Sequence, residues 1–420
     1  MQLRRGLSNT LLAGALGLAS AFFISPPPAQ ADESTDDQLA KVFEEIENTH
    51  LDLALKHVEA LLRVKPNFRL AYLIKGDLLL ARGRAIKAFG NAPQGTSARL
   101  DDLRAEALVR LHAYRDRPSQ DRVPRYLMQM RQDQRYAIVV DNKRSRLYLY
   151  QNEKNGRPRF VADYYISIGK RGGEKTREGD DKTPVGVYHV TASLPRNKLS
   201  DLYGSGAFPI SYPNEWDKRH GRNGHGIWLH GTPSDTYSRA PRASNGCVVL
   251  ANADLDALSN KLQIGLTPVI ISEQVEWLSL DDWDAERNAL NAEIERWRSD
   301  WESLDTERYL TRYSNKFSTG RANFSDWARH KRQVNSGKSW IELKLSNFSM
   351  FRNPGKEELV VVTFDQDYRS NNLSQRARKR QYWVEEGGRW KIAYESTVSG
   401  QKLRLPESFK SAVRKKGAGS

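Results

Sequence analysis

Residues 226–250 read GIWLHGTPSDTYSRAPRASNGCVVL, and the order of residue types in this stretch decides the fold around it. Ile227-Trp228-Leu229 is an apolar run that stops at His230 and Gly231. Val248-Val249-Leu250 is a second run, entered through Ser244-Asn245-Gly246-Cys247. Short apolar runs bounded by Gly, Asn and Ser predict strands. Two such strands, joined by one polar loop, carry a histidine and a thiol at the ends that face the loop. Cys247 is the only cysteine in 420 residues. A thiol with a pKa near ~8.5 is a poor nucleophile until a neighbouring imidazole takes its proton. Gly246 removes a side chain beside the sulfur, so a carbonyl can approach backbone N–H groups there, an oxyanion-hole arrangement. A lone cysteine can instead be a small buried hydrophobe. The glycine and the polar loop beside it favour the nucleophile.

Outward from this stretch the pattern stays β-rich. Tyr136–Val140 and Arg146–Tyr150 form a hairpin across Asp141, Asn142 and Ser145, and Phe160–Ile168 is a further strand. A glycine-rich charged loop, 171–182, follows. It lacks the GxxxxGK[ST] spacing of a phosphate loop, and no helix follows it. Thr183-Pro184-Val185-Gly186-Val187-Tyr188 leads into the next strand, 203–225 is loop, Asn252–Leu262 is helical, and Leu266–Ser272 is a last strand.

These motifs resemble the L,D-transpeptidase (YkuD-type) catalytic domain. The resemblance rests on His230-Gly231, on Ser244-x-Gly246-Cys247-Val248, and on the order Ser167-x-Gly169 then Thr183-Pro184-x-Gly186-x-Tyr188. Asn245 stands where the family has a second histidine, as in the branch of cell-shape L,D-carboxypeptidases and enzymes acting on the peptidoglycan–lipoprotein link. The resemblance implies Cys247 as nucleophile and His230 as general base, oriented by the carbonyl of Gly231. The N–H groups around Gly246 and Cys247 would hold the oxyanion, and the substrate would be a peptidoglycan stem peptide. Arg242, in the intervening loop, suits a substrate carboxylate better than Arg239. Tyr212, Trp228, Ser244 and Asn245 complete the expected substrate contacts. Asp254 and Asp256 read as cap and surface.

A metal reading of His220, His225, His230 and Cys247 fails on spacing. His225 and His230 are an odd number apart and would face opposite sides of one strand. No metal and no cofactor are expected.

The net formal charge is +15. Basicity often signals nucleic acid, but residues 1–31 read as a secretory signal. Arg4 and Arg5 precede an apolar run, and Ala29-Gln30-Ala31 fits a cleavage site. The expectation is therefore a periplasmic protein that meets anionic wall polymers and not nucleic acid. In that compartment a lone cysteine has no intramolecular disulfide partner.

The fold class expected is multidomain α+β. Residues 32–134 form a helical segment and linker, with one tetratricopeptide-like unit around Lys65-Pro66-Asn67, or a plain helical spacer. It would dock on the catalytic domain, envelope proteins or a second copy of the chain. Residues 135–273 are the mainly-β catalytic domain. In 274–410 a long helix, Trp283–Tyr313, precedes strands closed by Gly387-Gly388, resembling the nuclear-transport-factor-2-like (NTF2-like) cone. Arg376–Arg380 reads as a solvated edge strand, and 411–420 as a disordered tail. The rival to an acyl-transfer enzyme is a non-catalytic wall-binding scaffold. Transfer of the acyl group to an amine or to water is not separable from sequence.

Overall fold

The computed structural model describes residues 34–86, 88–91, 97–119 and 121–398. The stretch read as a secretory signal and the expected tail lie outside them. Four helices come first: α1 (Thr35–Glu47), α2 (Leu51–Val64), α3 (Arg69–Ala81) and α4 (Ser97–Arg115). Apolar residues three and four apart give α1–α3 one apolar stripe each. Leu39, Val42, Val58, Leu61, Phe68 and Ile74 therefore meet in one buried cluster. Two short strands, β1 (Arg122–Pro124) and β2 (Leu127–Gln129), follow.

The next region is β-rich: β3 (Tyr136–Asp141), β4 (Arg146–Asn152), β5 (Pro158–Gly169), β6 (Gly186–His189), β7 (Leu194–Pro195) and β8 (Gly206–Pro209). It continues through α5 (Glu215–Arg219), β9 (Trp228–His230), β10 (Arg242–Ser244), β11 (Val248–Leu250), α6 (Asn252–Ser259) and β12 (Pro268–Ser272). The sheet order is β6-β12-β3-β4-β5-β11-β9-β8-β7, with β10 joined to β5. Both faces of β3 and β4 are covered. Ile138, Val140, Leu147 and Leu149 enter one core, and Ala137, Val139, Tyr148 and Tyr150 another. That double burial explains why these strands read as nearly continuous apolar runs.

The C-terminal region has β13 (Trp277–Ser279), α7 (Leu280–Glu302), α8 (Thr306–Leu310), β14 (Tyr313–Ser318) and α9 (Phe324–Ser336). Four long strands close it: β15 (Ile341–Arg352), β16 (Leu359–Ser370), β17 (Leu373–Glu386) and β18 (Arg389–Thr397). The sheet runs β14-β18-β17-β16-β15-β2. The β17–β18 hairpin turns at Gly387 and Gly388, with φ of 60° and 74°, a left-handed pair that glycine adopts without strain.

Three expectations change. The single long helix breaks at Leu304, whose φ is +65°, and Asp305 then caps α8 by accepting the Arg308 N–H at 3.0 Å. The polar segment 116–134 is more than a linker. Tyr126, Leu127 and Met128 are buried, β2 is a strand of the C-terminal sheet, and β1 pairs with β13. Arg376–Arg380 lies on β17, inside the sheet rather than at its edge. Arg378 pairs with Asp365 at 2.6 Å and Arg380 with Glu215 of α5 at 3.0 Å. Trp216 stacks on Tyr382, with centroids 5.4 Å apart, so α5 seats the β-rich region on the C-terminal sheet.

Candidate active site

β9 and β11 are parallel neighbours, with Val248 opposite Leu229 and Val249 opposite His230. Side chains on a strand alternate, so Cys247, two residues before Val249, shares a face with His230 and Trp228. The Cα atoms of Cys247 and His230 are then separated by about 6.6 Å along the strands and about 4.8 Å across them. Because the strands are parallel, the loop 231–246 crosses back from one end of the pair to the other, and the offset between His230 and Cys247 stays small only because each strand is three residues long.

His230 is buried, and its Nδ1 lies 2.7 Å from the Gly231 carbonyl. A carbonyl only accepts, so Nδ1 carries the proton and Nε2 keeps its lone pair. Burial pushes the imidazole down to about 4, and the charge of Arg239 acts in the same direction. Gly231 is compulsory here. A Cβ on it would sit 2.1 Å from Asn252 Oδ1, the atom that accepts the Ser205 N–H at 2.9 Å.

Cys247 is half-buried, and its Sγ donates to the Gly226 carbonyl at 3.4 Å. Burial pushes the thiol up, while the Trp228 N–H and the charges of Arg239 and Lys175 pull it back. The resting pair is thus a neutral thiol and a neutral imidazole. Ser244 holds the approach to the sulfur. Its Oγ donates to the Cys247 carbonyl at 2.7 Å and accepts the Gly246 N–H at 3.1 Å. The Gly246 carbonyl in turn accepts Thr183 Oγ1 at 3.0 Å. Gly246 has φ +123°, and a Cβ there would lie 2.7 Å from the Lys182 carbonyl oxygen.

The other expected site residues divide. Trp228 is half-buried, and Tyr203 stands between it and the histidine, 4.9 Å from the Trp228 ring and 5.1 Å from His230. Asn245 is exposed and accepts Lys170 Nζ at 3.0 Å. Tyr212 is spent on packing: it is 6% exposed, its ring meets Tyr188, and its hydroxyl donates to the Asn223 carbonyl. Arg242 points to solvent from β10, whereas Arg239 is the arginine whose charge reaches both sulfur and imidazole. Gly246 is a poor oxyanion donor, because Ser244 Oγ already takes its N–H. His220 and His225 face separate glutamates, Glu357 and Glu178.

Sequence reasoning missed Tyr203, Lys175 and Thr183. Lys175 is buried, with Nζ 2.7 Å from Asp180, and it belongs to the glycine-rich loop weighed only for phosphate. Tyr203, an aromatic residue just ahead of Gly-Ser-Gly, carried a visible signal. The position of Thr183 beneath Gly246 carried none.

A β-rich domain with a histidine and a cysteine on one face of two neighbouring strands, followed by an α+β domain, is the class these features define. Residues 135–271 match the L,D-transpeptidase catalytic domain, and 289–396 match the Cds6 C-terminal NTF2-like domain. The solved structure of Bd1075 from Bdellovibrio bacteriovorus is 30% identical, with a TM-score of 0.60, over 67% of this chain and 100% of that one. The helical cell shape determining protein Pgp2 from Campylobacter jejuni is 27% identical, with a TM-score of 0.56, over 65% of this chain and 95% of that one. No curated protein matches the chain. The chain belongs to the YkuD-type L,D-transpeptidase family, in the form that carries a C-terminal NTF2-like domain.

Proposed function

We propose that the chain is a periplasmic enzyme that modifies peptidoglycan by cysteine acyl transfer and contributes to cell shape. Cys247 attacks the carbonyl of the L,D-linked residue before the terminal D-alanine. His230 Nε2 takes the thiol proton as the carbon–sulfur bond forms, and then gives it to the departing D-alanine amine. The acyl group stays on sulfur as a thioester until water or an amine displaces the thiolate. Because the resting pair is neutral, proton transfer accompanies attack rather than preceding it. The N–H of Cys247 is the donor left for the oxyanion once Gly246 is engaged, and Arg239 is the cation placed for the substrate carboxylate. Tyr203 and Trp228 form the aromatic wall of the cleft.

The observation that carries this reading is the presence of a proton-free Nε2 and a sulfur on the same face of two parallel strands. The family match and the likeness to Pgp2 support the substrate class and the link to cell shape. The signal-like 1–31 supports export. Asn245 and the C-terminal domain favour water as acceptor. Purified protein incubated with a tetrapeptide muropeptide tests it. Tripeptide plus free D-alanine means hydrolysis, and cross-linked dimers mean transfer. No thiol-dependent product, with Cys247→Ala behaving like the parent, removes the enzyme reading and favours the scaffold.

A further inference from the structure

We infer that the N-terminal helices position the loop between His230 and Cys247, with Arg110, Glu106 and Phe68 acting as positioning residues for a reaction centre they do not touch. The inference rests on the reading of that centre given above.

The first half of the loop is gripped at several points. Near its start, the Asn67 side chain at the α2–α3 turn donates to the Ser234 carbonyl at 3.2 Å. In its middle, Tyr237 packs on Phe68 with ring centroids 4.5 Å apart. Tyr237 and Ala251, one on each side of Cys247, belong to the same apolar cluster as Leu39, Val58 and Phe68. Beside it, Ser238 Oγ donates to Glu106 of α4 at 2.7 Å.

Glu106 is fixed by Arg110, whose Nε lies 2.9 Å from it. Arg110 also pairs with Asp36 of α1, and Asp36 bridges on to Arg146 of β4. Glu106, Arg110 and Arg146 are buried and Asp36 is half-buried, and an ion-pair network in that position holds its geometry tightly. The Arg110 guanidinium covers the Tyr165 ring at 3.8 Å, and the Tyr165 hydroxyl donates to the Arg239 carbonyl at 2.8 Å. Arg239 is then held from two sides, by Tyr165 through its backbone and by its own Nη2, which donates to the Ala243 carbonyl at 2.7 Å. The chain of contact runs Asp36, Arg110, Tyr165, Arg239, and ends at the cation beside the sulfur. A helical segment that served only as a spacer would not bury its charges against the loop that joins base to nucleophile.

The test uses the full chain and Ser238→Ala, which unhooks the loop from Glu106 and leaves the helical core intact. Glu106→Gln is the second variant, and Ser238→Thr the conservative one. Three quantities are read: thermal midpoint, the pH profile of Cys247 alkylation by iodoacetamide, and kcat and KM on tetrapeptide muropeptide. Loss of one hydrogen bond to a carboxylate predicts a fall of about five- to tenfold in kcat/KM for Ser238→Ala. The alkylation profile should be displaced, the midpoint lowered by no more than a few degrees, and Ser238→Thr close to the parent. A shifted alkylation profile in a protein that turns over no peptide supports the positioning and removes only the substrate reading. A lowered midpoint with the parent's alkylation profile in both variants makes the contacts merely structural and overturns the inference.

Discussion

Replacing Gly246 by alanine measures how tightly the backbone beside the sulfur is constrained. The residue has φ +123°, a conformation that L side chains rarely adopt, and the new Cβ would lie 2.7 Å from the Lys182 carbonyl oxygen and 3.1 Å from Ile227 Cδ1. The conformational strain alone costs about 1–3 kcal/mol. The carbonyl contact adds to it, because a backbone oxygen cannot rotate away as a side-chain end can. The Thr183–Gly246 hydrogen bond, 3.0 Å long, would stretch as the strand retreats. Together these predict a stability loss of about 2–4 kcal/mol. If the loop instead relieves the clash by moving, Cys247 shifts by about 1 Å, which costs on the order of a hundredfold in turnover. Gly172→Ala is the control. Its φ is +78°, but nothing lies within 4 Å of the new Cβ, so only conformational strain remains. Denaturant unfolding and tetrapeptide trimming should therefore separate the two variants, with Gly246→Ala worse in at least one. Equal stability and equal turnover would refute the packing argument for this loop.

Other outcomes follow from the same contacts. Since burial holds His230 down to about 4, the acid limb of kcat/KM should fall near that value rather than near the ~6.5 of free imidazole. A limb at the ordinary value would mean that the ring is solvated in the working enzyme. His189 is likewise pushed down to about 4, by burial first and by Arg380 second. Between those limits the unfolded chain binds protons that the folded chain refuses, so stability should drop as pH falls from about 6.5 to about 4, and His189→Gln should flatten that slope in urea titrations. Burial pushes the Glu215 carboxyl up, but Arg380 and the Tyr382 hydroxyl more than reverse this. Arg380→Met should therefore cost about 1–2 kcal/mol in thermal unfolding, discounted because both partners are partly exposed. An unchanged midpoint would show that the stacked Trp216 and Tyr382 hold this contact without the ion pair.

How much was legible in the sequence depended on how local the cause was. The strands flanking His230 and Cys247, the Gly387-Gly388 turn and the two helices either side of Lys65-Pro66-Asn67 follow from residue pattern over a few positions, and all appear. The single helix through Leu304 failed because one positive-φ residue interrupts an otherwise helical pattern. The edge strand at Arg376–Arg380 failed because arginine looks the same whether it meets water or Asp365 and Glu215. That Arg239 turns inward while Arg242 faces solvent was not legible, because only the folded loop decides which guanidinium does so. The burial of Tyr212 against Tyr188 was not legible, because a tyrosine in a loop can pack either way.

The order of residue types along the chain was enough to determine the architecture and to single out one sulfur and one imidazole, since strand pairing and thiol chemistry depend on short-range pattern. Tertiary structure alone decided what surrounds them. Desolvation of His230, the hydrogen bond from Thr183 to the Gly246 carbonyl and the grip of α4 on the loop all arise between residues far apart in the chain. Burial and charge act through space, and a one-dimensional pattern carries no record of those distances.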